Sequence, residues 1–181
     1  IKNLSIETYG TLFFMNSYDL IQDMTFTQSR DFMTGFKAKY DVKDWFSVHL
    51  SMHADFYDRF KRHERLDERK KVYKSCILEP RLTVTSNYFN HHSLIFGIEH
   101  TSDELTSDRF VNRKMTTRAL HETEYFLQDE WIPNTHWLLS TGVRTNFSKA
   151  FGFMWMPKLA AKYSLNNHWA FRANYSMGYR A

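Results

Sequence analysis

Cysteine occurs once in this chain of 181 residues, at Cys76, so no disulfide can close within it and nothing in its cysteine usage points to a metal site. Glycine is scarce at six residues and proline scarcer at three, which, together with 17% aromatic residues, excludes a collagen-like or disordered chain. Long apolar runs are missing too. No stretch comes near the roughly 18 consecutive apolar residues of a membrane-spanning helix, and the mean hydropathy is -0.55. This last absence does not exclude a membrane, because the polar lumen residues of a transmembrane barrel dilute every strand below such a threshold.

Charge is nearly balanced, with 24 Lys and Arg against 20 Asp and Glu. The densest basic run, Glu68 to Lys74, is flanked by Glu64 and Asp67 and reads as a solvated loop, so no nucleic-acid partner is expected. His49 and His53 share a face but lie about 13 Å apart along a strand, too far to hold one metal. His91 and His92 read as turn residues. His63, His100 and His121 fall near long loops, from which each could meet a ligand. No carboxylate pair, Ser-His-Asp set or phosphate-cradling glycine loop has telling spacing, so no catalytic residue, resident metal or cofactor is expected.

What the chain has is alternation. Trp169, Phe171, Ala173, Tyr175, Met177 and Tyr179 oppose Ala170, Arg172, Asn174, Ser176, Gly178 and Arg180. A period of two is a strand with one greasy and one wet face. Phe153 to Leu165 and Trp137 to Phe147 repeat the design, and weaker versions run through Phe32 to Tyr40, Phe46 to Phe56, Val72 to Tyr88 and Leu94 to Ile98. About nine strands are counted, that around Leu4 to Phe14 being the least well patterned. Short connections at Asp41 to Asp44, Asn87 to His92, Pro133 to His136 and Asn166 to His168 alternate with longer polar ones at Asn16 to Asp31, Arg62 to Lys71 and Ser102 to Leu120.

Short at one end and long at the other is the asymmetry of outer-membrane barrels. Trp131, Trp137 and Trp169 flank the short turns, where a ring of indoles suits the headgroup zone. Trp45 is also there, but on the polar parity, and belongs to the turn. On this reading Leu139, Val143, Leu159, Tyr163, Phe171, Tyr175 and Met177 face lipid. Glu79, Arg81, Glu99, Glu130, Arg144, Asn146, Lys158, Arg172 and Arg180 line a lumen, together with Glu122, Glu124, Gln128, Lys162 and Asn174. So many charges cannot form a dry core, since each buried ion costs several kcal/mol.

Three architectures fit this pattern: part of a large transmembrane barrel, a small complete outer-membrane barrel serving as enzyme or adhesin, and a soluble lipocalin-like barrel with its greasy face inward. Ordered fragments separate them. Tyr125-Phe126-Leu127-Gln128-Asp129-Glu130-Trp131, Ser140-Thr141-Gly142-Val143-Arg144-Thr145-Asn146-Phe147-Ser148, Met156-Pro157-Lys158 and Met177-Gly178-Tyr179-Arg180-Ala181 resemble, in order and spacing, mid-barrel strands of TonB-dependent outer-membrane receptors. Phe96-Gly97-Ile98-Glu99-His100 is similar to that family's recurrent Gly-x-Glu strand.

The resemblance implies an all-β, antiparallel, up-and-down transmembrane barrel of 22 strands in the bacterial outer membrane, of which residues 1–181 are one segment without the plug domain. It also implies uptake of a scarce, large nutrient of the ferric siderophore, haem or cobalamin class, with no enzymatic step. The implied partners are outer-membrane lipid, the receptor's own N-terminal plug, a TonB-type energy-coupling complex and a small-molecule or metal-chelate substrate. The chain opens at Ile1 without a leader and stops at Ala181 within a patterned strand, so it is expected to be a central portion cut at both ends.

Overall fold

A computed structural model describes residues 3–19, 25–63, 66–87, 89–111, 114–166 and 168–178. Nine strands follow in order: β1 (Leu4–Asp19), β2 (Thr25–Lys43), β3 (Phe46–His63), β4 (Leu66–Ser86), β5 (His92–Val111), β6 (Lys114–Trp131), β7 (Trp137–Ser148), β8 (Gly152–Ser164) and β9 (Ala170–Ser176). Each pairs antiparallel with the next, giving one up-and-down sheet with β1 and β9 at its edges.

The register keeps the two faces separate across the sheet. One line of directly opposed residues runs Ala38, Leu50, Leu82, Ile98, Tyr125, Thr145, Trp155. The neighbouring line, one residue away, runs Lys37, Ser51, Arg81, Glu99, Glu124, Asn146, Met154. Because side chains alternate with a period of two, a slip of one residue at any pairing would mix these lines.

Neither face is packed against protein. Ala54 is the one buried hydrophobic residue among those described, whereas Leu12, Ile6, Phe14, Phe171 and Trp155 are each more than half exposed. The accessible surface is 13641 Å², against about 9,300 Å² expected of a folded soluble chain of this mass. A closed barrel with a greasy interior would hide these side chains. An exposed apolar sheet face this extensive needs a non-aqueous neighbour.

The apolar face has a sharp upper limit. On β3 it comprises Phe46, Val48, Leu50, Met52, Ala54 and Phe56, and then Asp58, which is directly opposed by Arg30 on β2 and Lys74 on β4. About ten residue steps at 3.3 Å, on strands tilted by about 45°, give a band roughly 23 Å high. That is the height of the lipid-facing band of a transmembrane barrel.

The short turns are built to a repeated plan. In Asn134-x-His136-Trp137 the Asn134 side-chain oxygen accepts the His136 and Trp137 backbone N–H groups at 2.9 and 3.1 Å. Asn166 does the same for His168 and Trp169, both at 2.9 Å. Each asparagine thereby fixes a tryptophan at the start of a strand. Asn166→Ala should cost the barrel about 1 kcal/mol by leaving two donors without this acceptor, measured as a lower urea midpoint with unchanged slope; an unchanged midpoint would mean that water replaces the side chain.

The long connections differ from expectation. Residues 16–31, 62–71 and 102–120 are mostly strand: β1 runs to Asp19 with β2 starting at Thr25, β3 and β4 reach His63 and Leu66, and β5 and β6 reach Val111 and Lys114. Above the apolar band both faces turn polar, so the alternation that reveals a strand disappears while the backbone ladder continues. The basic run at Glu68 to Lys74 is therefore part of β4, not a loop.

Candidate functional site

The polar face holds the residues singled out in the sequence. Glu79, Arg81, Glu99, Glu130, Arg144, Asn146, Lys158 and Arg172 all fall on it, whereas Arg180 lies outside the described residues. Three pairs link neighbouring strands: Arg81 with Glu99 at 3.4 Å, Arg144 with Glu124 at 3.1 Å, and the Asn146 amide donating to Glu122 at 3.3 Å. Arg144 is half exposed, so its ion pair contributes well under about 1 kcal/mol and serves to orient the groups. Glu130 and Arg172 lie nearer the short turns: Glu130 is opposite Ser140, and Arg172 opposite Lys162.

The Arg81 and Arg144 guanidinium carbons lie 4.9 and 5.9 Å from the centre of the Phe126 ring. The tip of that ring lies over Gly97 on the opposing strand, in the space that any side chain at position 97 would fill. Tyr9 covers Gly35 in the same manner, and its hydroxyl bonds His53 Nδ1 at 3.0 Å. A glycine inside a strand invites an aromatic ring onto its bare backbone. Gly35 and Gly97 were thus the available signal for Tyr9 and Phe126, which the count of polar residues passed over.

Where the strands run furthest past the apolar band the same face opens into a hollow of about 760 Å³, lined by Arg59, Lys61, Tyr73, Ser107, Asp108, Arg109 and Phe110 among others, three cations against one carboxylate. Arg59 donates from Nε and Nη2 to the Tyr57 hydroxyl at 3.0 and 2.7 Å, and Tyr57 donates on to Ser29, buried at 1% exposure, at 2.9 Å. Stacking over Tyr57 and Tyr73 at 5.5 and 5.9 Å fixes the guanidinium further. The Arg109 backbone N–H is held by the Ser107 hydroxyl at 3.2 Å. The result is a preorganised cationic and aromatic wall suited to anions. Below it the carboxyl groups of Asp31 and Asp55 meet, lining a separate hollow with Tyr57 and Arg59.

The histidines are used locally. His49 pairs with Ser47 at 3.2 Å, and His91 occupies a turn at φ 68°. His100 and His121, placed by the sequence near the long loops, stand on the apolar-face parity, with rings stacked 6.3 Å apart and His100 bonded to Thr123 at 2.9 Å. The β5–β6 register decides this, since His100 opposes Thr123 and His121 opposes Ser102 on the parity of Ile98 and Tyr125. The side chain of His63 lies outside the described residues.

On the other face are Leu139, Val143, Leu159, Tyr163, Phe171, Tyr175 and Met177, with Leu159 at 54% and Phe171 at 61% exposure. Near the short turns, Trp131 stacks on His92 at 5.4 Å and Trp137 packs against Tyr163 at 4.8 Å with the rings tilted by 45°, while the Trp169 carbonyl accepts the Leu165 N–H at 3.0 Å. An acid also falls here: Asp129 is paired with His92 at 2.8 Å, which makes a carboxylate tolerable at this edge.

The family described as TonB dependent receptor-like, β-barrel, matches residues 3–181. The chain is also similar to the "Iron-regulated outer membrane virulence protein" of two Vibrio cholerae serotype O1 strains, classical Ogawa 395 and El Tor Inaba N16961. Each is 23% identical over 141 residues, covering 76% of this chain and 20% of the relative. The chain thus spans about a fifth of the length of the curated relatives it matches. A family match along the whole nine-stranded sheet means that the chain belongs to the TonB-dependent receptors, as part of their β-barrel, and that its place is the bacterial outer membrane.

Proposed function

We propose that this chain is a stretch of barrel wall in a receptor for energised uptake of a scarce, large nutrient, of the ferric siderophore, haem or cobalamin class. Its apolar face meets lipid and its polar face lines the lumen. There the Arg81–Glu99 and Arg144–Glu124 pairs face an N-terminal plug, and the complete barrel closes with about 22 strands around it. A TonB-type complex supplies the energy. The open sheet, with β1 and β9 at opposite edges, supports a segment of a larger wall over a small closed barrel.

Within that class, an anionic iron chelate fits best. The carrying observation is the hollow of Arg59, Lys61, Arg109, Tyr73 and Phe110, cationic on balance with Asp108 as its one acid, in which a chelate with flat aromatic ligands finds both charge and stacking. The iron-regulated name of the Vibrio cholerae relatives agrees in the metal.

The test uses the intact receptor and radioactive iron supplied either as a trianionic tris-catecholate or as an uncharged trihydroxamate. Replacing Arg59, Lys61 and Arg109 together by glutamine should weaken catecholate binding about 100-fold, taking about 1 kcal/mol per lost charge contact. Hydroxamate binding should stay as it was. Equal loss of both chelates, or of neither, would falsify the assignment of this hollow to substrate charge.

A further inference from the structure

Three cations of the basic run on β4, Arg69, Lys71 and Lys74, belong neither to the lumen nor to a loop, whereas Lys70 opposes Lys61 on the polar face. Tyr73 is opposed to Arg59 on the polar face, and strict alternation would put Lys71 and Arg69 on that face with it. A β-bulge intervenes: the register shifts between Arg59 and Phe60, so that Lys71 opposes Phe60 and Arg69 opposes Arg62. One extra residue, Val72, thereby turns both cations onto the side that carries the apolar band.

There they gather around rings. Phe60 has the Arg69 guanidinium at 3.9 Å, the Lys71 ammonium at 5.2 Å and the Arg30 guanidinium at 5.6 Å from its centre. Arg62 lies 5.9 Å from the Phe26 ring. Lys74 completes the group beside Asp58, whose carboxylate is bonded by Lys71 at 2.8 Å. Arg30, Arg62, Arg69 and Lys74 remain exposed. The patch is confined to β2, β3 and β4: opposite Lys74, β5 and β6 present the mutually hydrogen-bonded Thr106 and Thr117.

Its height matters most. Arg30 and Lys74 stand on the first line beyond Phe56, where the apolar band ends, and Arg62 and Arg69 lie about 9 Å higher on tilted strands. At this end the hairpins β1–β2, β3–β4 and β5–β6 run furthest past the apolar band, and in outer-membrane barrels the longer excursions are on the cell-exterior side. Cations continuous with a lipid-height band, and interleaved with aromatic rings, suit an amphiphile with several phosphates rather than a free ion or a nucleic acid.

We propose that this patch is a binding site for the bis-phosphorylated glycolipid of the outer leaflet, the lipid A part of lipopolysaccharide. Its phosphates rest on Arg30, Arg62, Arg69 and Lys74, and its acyl chains run down the apolar face of β2 to β4. The site is independent of any substrate in the lumen.

Native mass spectrometry of the intact, detergent-purified receptor tests this with bis-phosphorylated lipid A, the same lipid without phosphates, and cardiolipin. The wild-type receptor should bind bis-phosphorylated lipid A at least 10-fold more tightly than either of the others, with an affinity that falls as salt rises. Changing Arg30, Arg62, Arg69 and Lys74 to glutamine should remove that preference, and lysine at the three arginine positions should restore most of it. Unchanged heat-modifiable mobility in electrophoresis would show the variants folded, and the wild-type comparison of lipids stands even if they are not. Equal binding of phosphorylated and phosphate-free lipid, equal binding of cardiolipin, or an unchanged affinity in the folded glutamine variant overturns the proposal.

Discussion

Leu159→Arg should destabilise the intact barrel by about 2 to 4 kcal/mol, whereas Phe171→Arg should cost only about 0 to 1 kcal/mol, although both side chains are large, apolar and more than half exposed. Depth makes the difference. Leu159 is opposed by Thr141 and Tyr175, and on its own strand stands between Tyr163 and Phe153, near the middle of the proposed lipid band. A guanidinium placed there must snorkel a long way to water. Phe171 is opposed by Tyr163, whose ring packs on Trp137 beside the short turns, so an arginine at 171 reaches the headgroup zone directly. Urea unfolding of the receptor in lipid vesicles gives both numbers. Equal costs at the two sites, or none at either, would mean that the face does not meet lipid as proposed.

Much of this was legible from a period of two alone. β7, β8 and β9 keep the alternation along nearly their whole length, with Leu138, Met154 and Met156 the large exceptions, because their described lengths scarcely exceed the apolar band. The strands that outrun the band were harder to read. On β3, alternation holds from Phe46 to Phe56, but then Asp58, Arg59, Lys61 and Arg62 leave no greasy parity to count, and a strand looks like a loop. The bulge at Val72 has no signature in residue type, so no pattern shows that Lys71 and Arg69 change sides. Polar-face aromatics were obscured for the opposite reason. Phe126 stands among Glu122, Glu124, Gln128 and Glu130 as an exception to a polar rule, and its meaning appears only when the register sets it against Gly97.

That pairing yields the second large effect. Gly97→Val should cost about 1 to 3 kcal/mol, the usual range for overpacking, even though valine favours strands and glycine weakens them by about 0.5 to 1 kcal/mol. The reason is steric: Gly97 has no positive φ to preserve, but the Phe126 ring occupies the position of the missing side chain. Lifting that ring removes the surface over which Arg81 and Arg144 stack, and with it the support of their pairs with Glu99 and Glu124. Gly142 makes a fair contrast, since an added methyl there meets the Leu127 carbonyl at 3.2 Å and Gln128 Cα and Cβ at an ordinary 3.6 Å, and Gly142→Ala should cost less. A double-mutant cycle isolates the contact. With Phe126→Ala in place the penalty of Gly97→Val should largely vanish, leaving a coupling energy of about 1 to 2 kcal/mol. If the two changes simply add, the ring does not rest on Gly97, and the two arginines are held by their carboxylates alone.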